Sequence, residues 1–352
     1  MRIAMTVVPY MEQNLRAAKQ LGVDDIVYNG LPGTALDYPM LRREVERLRR
    51  MGLKMTILEG AVPIDRIVLG KAGRDAQIDE VRRTIGSMGR LGIEVLCYNF
   101  MPPVLDGEMV VRTTYDASAR GGAQTSAFRL ADVTSTTVPH TEKPLPSERM
   151  WENLEYFLGA VIPAAEDAGV KLAMHPDDPP ISPICGLNRI MSSVESFDRL
   201  LSINSSPSNG ITLCQGCFLE MGADLSAIIR KFKDRIHFVH FRDIAGTSDD
   251  FVETFPDDGP TDFCAVFETF KEVGYDGPIR VDHVPRLSVE AGANDGYGFI
   301  GHAYATGYLK GLLDSVFGKP GVARWSQVPA KERAKQYVSG IADPFGIVPA
   351  SR

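Results

Sequence analysis

Apolar residues recur along this chain in two alternating rhythms. Short apolar runs, each cut off by a polar or Gly/Pro cluster, alternate with longer segments in which apolar positions return every three or four residues. The first rhythm reads as buried strands and the second as amphipathic helices. Residues 2–8 form the first strand, and 11–21 a helix with Met11, Leu15, Ala18 and Leu21 on one face. Strand 25–28 closes at Asn29 and Gly30. Helix 41–51 stops at Gly52, strand 54–58 ends at Glu59 and Gly60, helix 78–91 stops at Gly92, and strand 94–100 follows.

The rhythm then breaks. Residues 101–147 carry Gly, Ser, Thr and Pro without periodicity, which reads as a lid or an oligomer contact, since loops of this length in a compact domain are usually functional. Helix 152–168 restores the pattern. Helices 194–203, 225–232 and 263–273 alternate with strands that end near residues 175, 214, 242 and 283, and a last helix spans 301–317. Eight strands each followed by a helix predict an α/β fold, a single-domain (β/α)8 TIM barrel over 1–317, with 101–147 as a long loop after strand four and 318–352 as a C-terminal tail. An open doubly wound sheet would need a Gly-rich phosphate fingerprint after the first strand, where VPYM (8–11) stands instead.

Four strand ends carry candidate chemistry. The run KLAMHPDDPP (171–180) delivers His175, ITLCQG (211–216) delivers Cys214, IHFVHFRD (236–243) delivers His240 and Arg242, and IRVDH (279–283) delivers Asp282 and His283. Residues of equal parity on a strand share a face, so His175, Cys214, His240 and Asp282 all turn to the barrel mouth. Two imidazoles, a thiolate and a carboxylate are each competent ligands, and their coincidence on four strand ends predicts one metal ion. Glu59, Asn99 and Arg280 face the same mouth and are candidate substrate contacts, although turn chemistry also accounts for Asn99.

Several candidates read more plainly. CQGC (214–217) has redox spacing, but such a pair needs a helix N-terminus and a zinc knuckle needs a second pair, so Cys217 is structural. His237 points away from the mouth, and His140 and His302 show no partner. Asp177 and Asp178 either orient His175 or form a turn before the prolines.

Composition narrows the partners. The chain has 352 residues, 44% hydrophobic and 24% charged, with a net charge of −7. That charge argues against nucleic acid and leaves a small anionic substrate open. No run of 18 apolar residues predicts a membrane span, and the N-terminal run is too short for a signal peptide. Five scattered cysteines, Cys97, Cys185, Cys214, Cys217 and Cys264, suggest no disulfide framework and fit the cytoplasm.

At these residues the chain resembles the mannonate dehydratase family. The carrying segments are CYNFMP (97–102), MHPDDPP (174–180), NGITLCQG (209–216), HFR (240–242), RVDH (280–283) and GY (296–297), in family order across 1–315. The resemblance implies a xylose-isomerase-like barrel, a carbon–oxygen hydro-lyase of hexuronate catabolism that converts D-mannonate to 2-keto-3-deoxy-D-gluconate, and a homo-oligomer. It implies manganese or iron at His175, Cys214, His240 and Asp282, with zinc or cobalt ranked behind, catalytic roles for His283 and Tyr297, and Arg242 near the substrate. A metal beside His283 would favour its neutral ring; base and acid are not apportioned between His283 and Tyr297. Two features depart from the family. Val284 and Pro285 stand where it has Gly-His, and 101–147 is shorter than the family's helical insertion, which leaves a related aldonate open as substrate. The rival readings are a sugar isomerase or epimerase on the same barrel, and an idle sugar-acid sensor.

Overall fold

A computed structural model describes residues 1–30, 36–103, 109–133, 144–290 and 296–318. The barrel opens with β1 (Arg2–Thr6), β2 (Asp25–Tyr28), β3 (Lys54–Glu59) and β4 (Val95–Tyr98). Two strands outside it follow, β5 (Thr114–Ser118) and β6 (Gln124–Arg129). The barrel resumes with β7 (Lys171–Met174), β8 (Asn209–Cys214) and β9 (Ile236–Phe241). Then come β10 (Asp243–Thr247), β11 (Asp250–Thr254) and the closing strand β12 (Pro278–Val281). The eight barrel strands close in the order β1-β12-β9-β8-β7-β4-β3-β2, all parallel. The expected barrel is therefore present. His140 and the tail beyond Gly318 lie outside the described residues.

Helices α1 (Glu12–Gln20), α2 (Tyr38–Arg50), α3 (Asp65–Val68), α4 (Arg74–Leu91), α5 (Ser147–Ala168), α6 (Val194–Ile203), α7 (Gln215–Glu220), α8 (Leu225–Phe232), α9 (Phe263–Val273) and α10 (Phe299–Phe317) surround the strands. Helices α6, α8 and α9 have the expected bounds. Helices α4 and α5 begin earlier than their apolar periodicity does, because their first turns are polar. Side-chain caps set the start of several: Asp37 on α2, Ser193 on α6, Asp224 on α8 and Asp262 on α9 each accept a backbone N–H of the first turn.

Strand parity divides the core. Ala4, Val27, Ile57, Val95, Cys97, Ala173 and Phe238 fill the barrel interior, while the alternate residues pack outward against the helices. His237 faces outward as expected. Its Nδ1 lies 2.7 Å from the Leu172 carbonyl oxygen, and burial pushes its pKa down to about 4. Gly210 makes the room, since a Cβ there would meet the ring at 2.3 Å.

The segment read as irregular holds a hairpin. Strands β5 and β6 join the β10–β11 hairpin in a four-stranded antiparallel sheet, β10-β11-β6-β5. No residue of β5 is buried, so it lacks the apolar alternation by which strands are recognised. The β10–β11 hairpin was hidden because β10 follows β9 with only Arg242 between them. A small second core of Val111, Phe128, Ile184, Cys185, Leu187, Ile244 and Phe251 seats this side sheet on the segment after β7.

Charge also ties the sheet down. Arg112, ahead of β5, grips both oxygens of Asp178 at 2.7 and 2.9 Å and reaches Glu253 of β11 at 2.7 Å. Arg242 reaches Asp178 at 2.9 Å, Glu253 at 2.9 Å and Glu220 of α7 at 2.6 Å. These five side chains are at most 2% exposed. Burial opposes ionisation of Asp178 and Glu253, but the arginines outweigh it for Asp178, as they do with His283 for Glu253, and both carboxyls fall below their usual range. Burial and the neighbouring Asp178 push Glu220 well up despite Arg242. Two guanidiniums thus face three carboxyl groups, of which Glu220 is held the least acidic.

This balance predicts unequal effects. Arg242→Met leaves buried carboxylates uncompensated and is expected to cost about 3–5 kcal/mol in denaturant unfolding. Glu220→Gln keeps an acceptor and no charge, and is expected to cost about 1 kcal/mol or less. Equal losses would mean that Glu220 is ionised in the fold.

Candidate active site

The C-terminal ends of the barrel strands surround a cavity of ≈ 550 Å³ of empty space, open to solvent. Glu59, Asn99, His175, Arg280, Asp282, His283 and Tyr297 all line it. Register assembles its floor: Cys214 on β8 pairs with His240 on β9, and His240 pairs with Arg280 on β12. Cys214 and His240 are fully buried beneath the cavity.

The four expected ligands converge. His175 Nε2 lies 3.2 Å from His240 Nδ1, His240 Nδ1 lies 3.7 Å from Asp282 Oδ2, and Cys214 Sγ lies 3.6 Å from the same oxygen. Four donors on one ion with bonds of roughly 2.0–2.3 Å would stand roughly 3.3–3.8 Å apart, close to these spacings. The His175 tautomer fits as well: its Nδ1 is 2.7 Å from the Pro176 carbonyl oxygen, so this nitrogen donates and Nε2 presents a lone pair. Two imidazoles, a thiol and a carboxylate gathered at these distances are competent ligands, so these residues could hold a metal.

Asp282 has two separate duties. Its Oδ1 accepts from Arg280 Nη1 at 2.8 Å and from the Tyr297 hydroxyl at 2.9 Å, and its Oδ2 faces Cys214 and His240. Burial opposes its charge, but Arg280 and His283 prevail and hold its carboxyl well below the usual range. Burial likewise disfavours the Cys214 thiolate, yet hydrogen bonds from Cys217, His175 and His240 bring its pKa well down. Burial and the adjacent thiolate drive Cys217 the other way. Cys217 also comes within ligand range of His175 and Cys214, and the CQGC motif does meet a helix start, contrary to expectation, since α7 begins at Gln215.

Two other expectations change. Arg242 does not line the cavity. It lies behind the cluster among Asp178, Glu220 and Glu253, in space that Gly216 leaves open: a Cβ there would meet its Cδ at 2.7 Å. Neither acid after His175 orients that ring. Asp177 accepts from the Met191 amide at 2.7 Å, Asp178 serves the two arginines, and the Pro176 carbonyl holds His175. The protein groups around His283 act in the opposite sense to the charge of a bound metal. Burial lowers its pKa, but Glu253, 2.8 Å from Nδ1, and Asp282 more than offset this and raise it.

Asn99 serves turn chemistry, since its Oδ1 accepts from the Met101 amide at 3.2 Å, and it also lines the cavity. Glu59 is held by Arg280 at 2.6 and 2.9 Å. His302, which showed no partner in the sequence, lies buried with its ring against Tyr297, centroids 5.3 Å apart. The residues missed from the sequence are Arg112, Glu220 and Glu253. The one available signal was Glu253 at the same parity as Phe251 in DFVET (250–254).

Comparison with known proteins agrees with this geometry. The family model described as D-mannonate dehydratase (UxuA) matches residues 11–140 and 136–319. A mannonate dehydratase of Oceanobacillus iheyensis is 35% identical over 297 residues, covering 76% of this chain and 83% of its own. Mannonate dehydratase 1 of Bacillus licheniformis is 33% identical over 334 residues, covering 84% and 89%. The crystal structure of mannonate dehydratase from Streptococcus suis serotype 2 superposes with a TM-score of 0.82 at 29% identity, over 90% of this chain and 95% of that one. A xylose isomerase domain protein from Planctomyces limnophilus, at 13% identity and a TM-score of 0.58, shares the fold. Matched along nearly its whole described length, this chain belongs to the mannonate dehydratase family of lyases.

Proposed function

We propose that this protein dehydrates D-mannonate to 2-keto-3-deoxy-D-gluconate, using a divalent metal held by His175, Cys214, His240 and Asp282. The observation that carries this reading is the convergence of those four side chains under a cavity bordered by His283 and Tyr297. An ion bound there supplies positive charge that draws electron density from the substrate's carboxylate end and makes its α-proton more acidic. The family resemblance of the ligand segments ranks manganese ahead of iron, whereas the Cys214 thiolate alone would favour iron or zinc. Five unpaired cysteines support a reducing compartment, the cytoplasm. Among the described residues no helix is long and apolar enough to cross a membrane.

The chain's own groups supply the proton traffic. One of His283 and Tyr297 takes the C2 proton, and the other protonates the C3 hydroxyl as it leaves as water. The electron pair of the C2–H bond becomes the C2–C3 double bond of an enol, which tautomerises to the keto acid. The two rings stand edge to face with centroids 5.0 Å apart, so both reach adjacent carbons of one substrate. Arg280, fixed between Glu59 and Asp282, lines the same cavity. Glu59 and Asn99 offer polar contacts to its hydroxyls. Arg242 supports the site from behind.

Metal-loaded protein incubated with D-mannonate and a panel of other aldonates is expected to release the 2-keto-3-deoxy acid from mannonate. Turnover of a different aldonate alone would move the substrate, and an epimerised sugar without keto acid would favour the isomerase reading. Cys214→Ala and His240→Ala are each expected to lose bound metal and activity while the barrel stays folded, because barrel cores rest on their apolar layers. Full metal content in both would place the ligands elsewhere. Tyr297→Phe is expected to keep metal and lose at least ~10²-fold in turnover; a near wild-type rate would remove Tyr297 from the proton traffic.

A further inference from the structure

Glu253 comes from the side sheet, outside the barrel, yet it meets the barrel's chemistry at one atom. Its side chain is fully enclosed, and its Oε1 lies 2.8 Å from His283 Nδ1. The same oxygen lies 2.7 Å from Arg112 Nη2 and 2.9 Å from Arg242 Nη2. A carboxylate held between two guanidiniums can only accept hydrogen bonds. The alternative donor to Nδ1 would be Arg112 Nη2, 3.4 Å away. That nitrogen carries two hydrogens, and they already go to Asp178 Oδ2 at 2.9 Å and Glu253 Oε1 at 2.7 Å. His283 Nδ1 therefore carries its own proton and donates it to Glu253.

The rest of the ring is confined accordingly. Gly296 sits against it at a φ of +77°, where a Cβ would come within 3.2 Å of the His283 Cβ and Cγ, and Tyr297 meets it edge to face. Nε2 lies 3.9 Å from Asp282 Oδ1, beside the proposed metal ligand at the cavity. We infer that Glu253 is the positioning residue for His283: it fixes the ring's rotation and the proton on Nδ1, so that His283 meets the substrate through Nε2. This inference rests on the acid–base role proposed for His283. It gives the side sheet a part in the reaction, since Glu253 lies on β11 and its partner Arg112 lies just ahead of β5.

A purely structural Glu253, present only to neutralise the arginines, makes a different prediction, and a double-mutant cycle separates the two. Full-length, metal-loaded wild type, Glu253→Gln, His283→Asn and the double variant are compared on D-mannonate, with metal content and thermal unfolding measured for each. Glu253→Gln is expected to lower kcat by roughly 10–10²-fold with KM and metal content little changed. The double variant is expected to be no slower than His283→Asn, because two residues acting through one ring are not additive. A double variant slower than His283→Asn by the full factor of Glu253→Gln would overturn the inference, as would wild-type kcat in Glu253→Gln. Wild-type turnover in the single variant His283→Asn would instead overturn the acid–base reading itself, and the inference with it. Should Glu253→Gln not fold, Glu253→Asp keeps the charge and withdraws the oxygen by about 1.5 Å, and the same cycle applies with the same outcomes.

Discussion

Two guanidinium groups sit where water does not reach, and the surrounding structure is arranged to make that tolerable. An isolated charge moved into a protein interior costs several kcal/mol even after relaxation, so Arg112 and Arg242 require carboxylates at hydrogen-bond distance. Those carboxylates come from separate elements: Asp178 from the segment after β7, Glu253 from β11 and Glu220 from α7. No one element can satisfy the pair. The network therefore forms only when the side sheet, the segment after β7 and α7 have all docked against β9. Glu220 is the weakest acid of the three, since burial and the neighbouring Asp178 raise its carboxyl well above the usual range.

This wedge of charge lies directly behind the candidate site. Arg242 comes within 3.9 Å of Cys214 Sγ and 3.6 Å of Cys217 Sγ, so both sulfurs rest against a fixed cation. Glu253 continues the chain of contacts to His283, and Asp282 continues it to Arg280, Glu59 and Tyr297. Glu59, Asn99, His175, Arg280, Asp282, His283 and Tyr297 each have at least one hydrogen bond that limits their rotation. A site that must place a proton donor and acceptor against adjacent carbons depends on such fixed orientations. The same connectivity explains why Asp178 does not serve His175, as its place in the sequence suggested: both of its oxygens are committed to arginines.

Legibility in the sequence followed the range of the physical signal. Helix α6 could be bounded to the residue because Ser193 caps it and its apolar face repeats with helical period. Strand β9 could be oriented because alternation alone assigns His240 inward and His237 outward. Strand β5 could not be seen, because none of its residues is buried and its pairing with β6 is made by backbone groups that every residue has. His283 was visible as a site residue, but its contact with Glu253 was not, because Glu253 lies on a hairpin that shows no break from β9 in the sequence.

The sequence by itself determined the barrel and the alternation that turns His175, Cys214, His240 and Asp282 toward its C-terminal end. These follow from strand and helix periods and from the rule that parallel barrels place function at their strand ends, which are properties of neighbouring residues. Only the tertiary structure decided where Arg242 points, what holds His283, and that residues 109–133 and 243–254 build one sheet. Those outcomes rest on ion pairs between positions far apart in the chain, such as Arg112 with Glu253 and Arg242 with Asp178, separated by 141 and 64 residues. A buried charge takes whichever partner the packed elements bring within about 3 Å, and no local period in the sequence records which one that is.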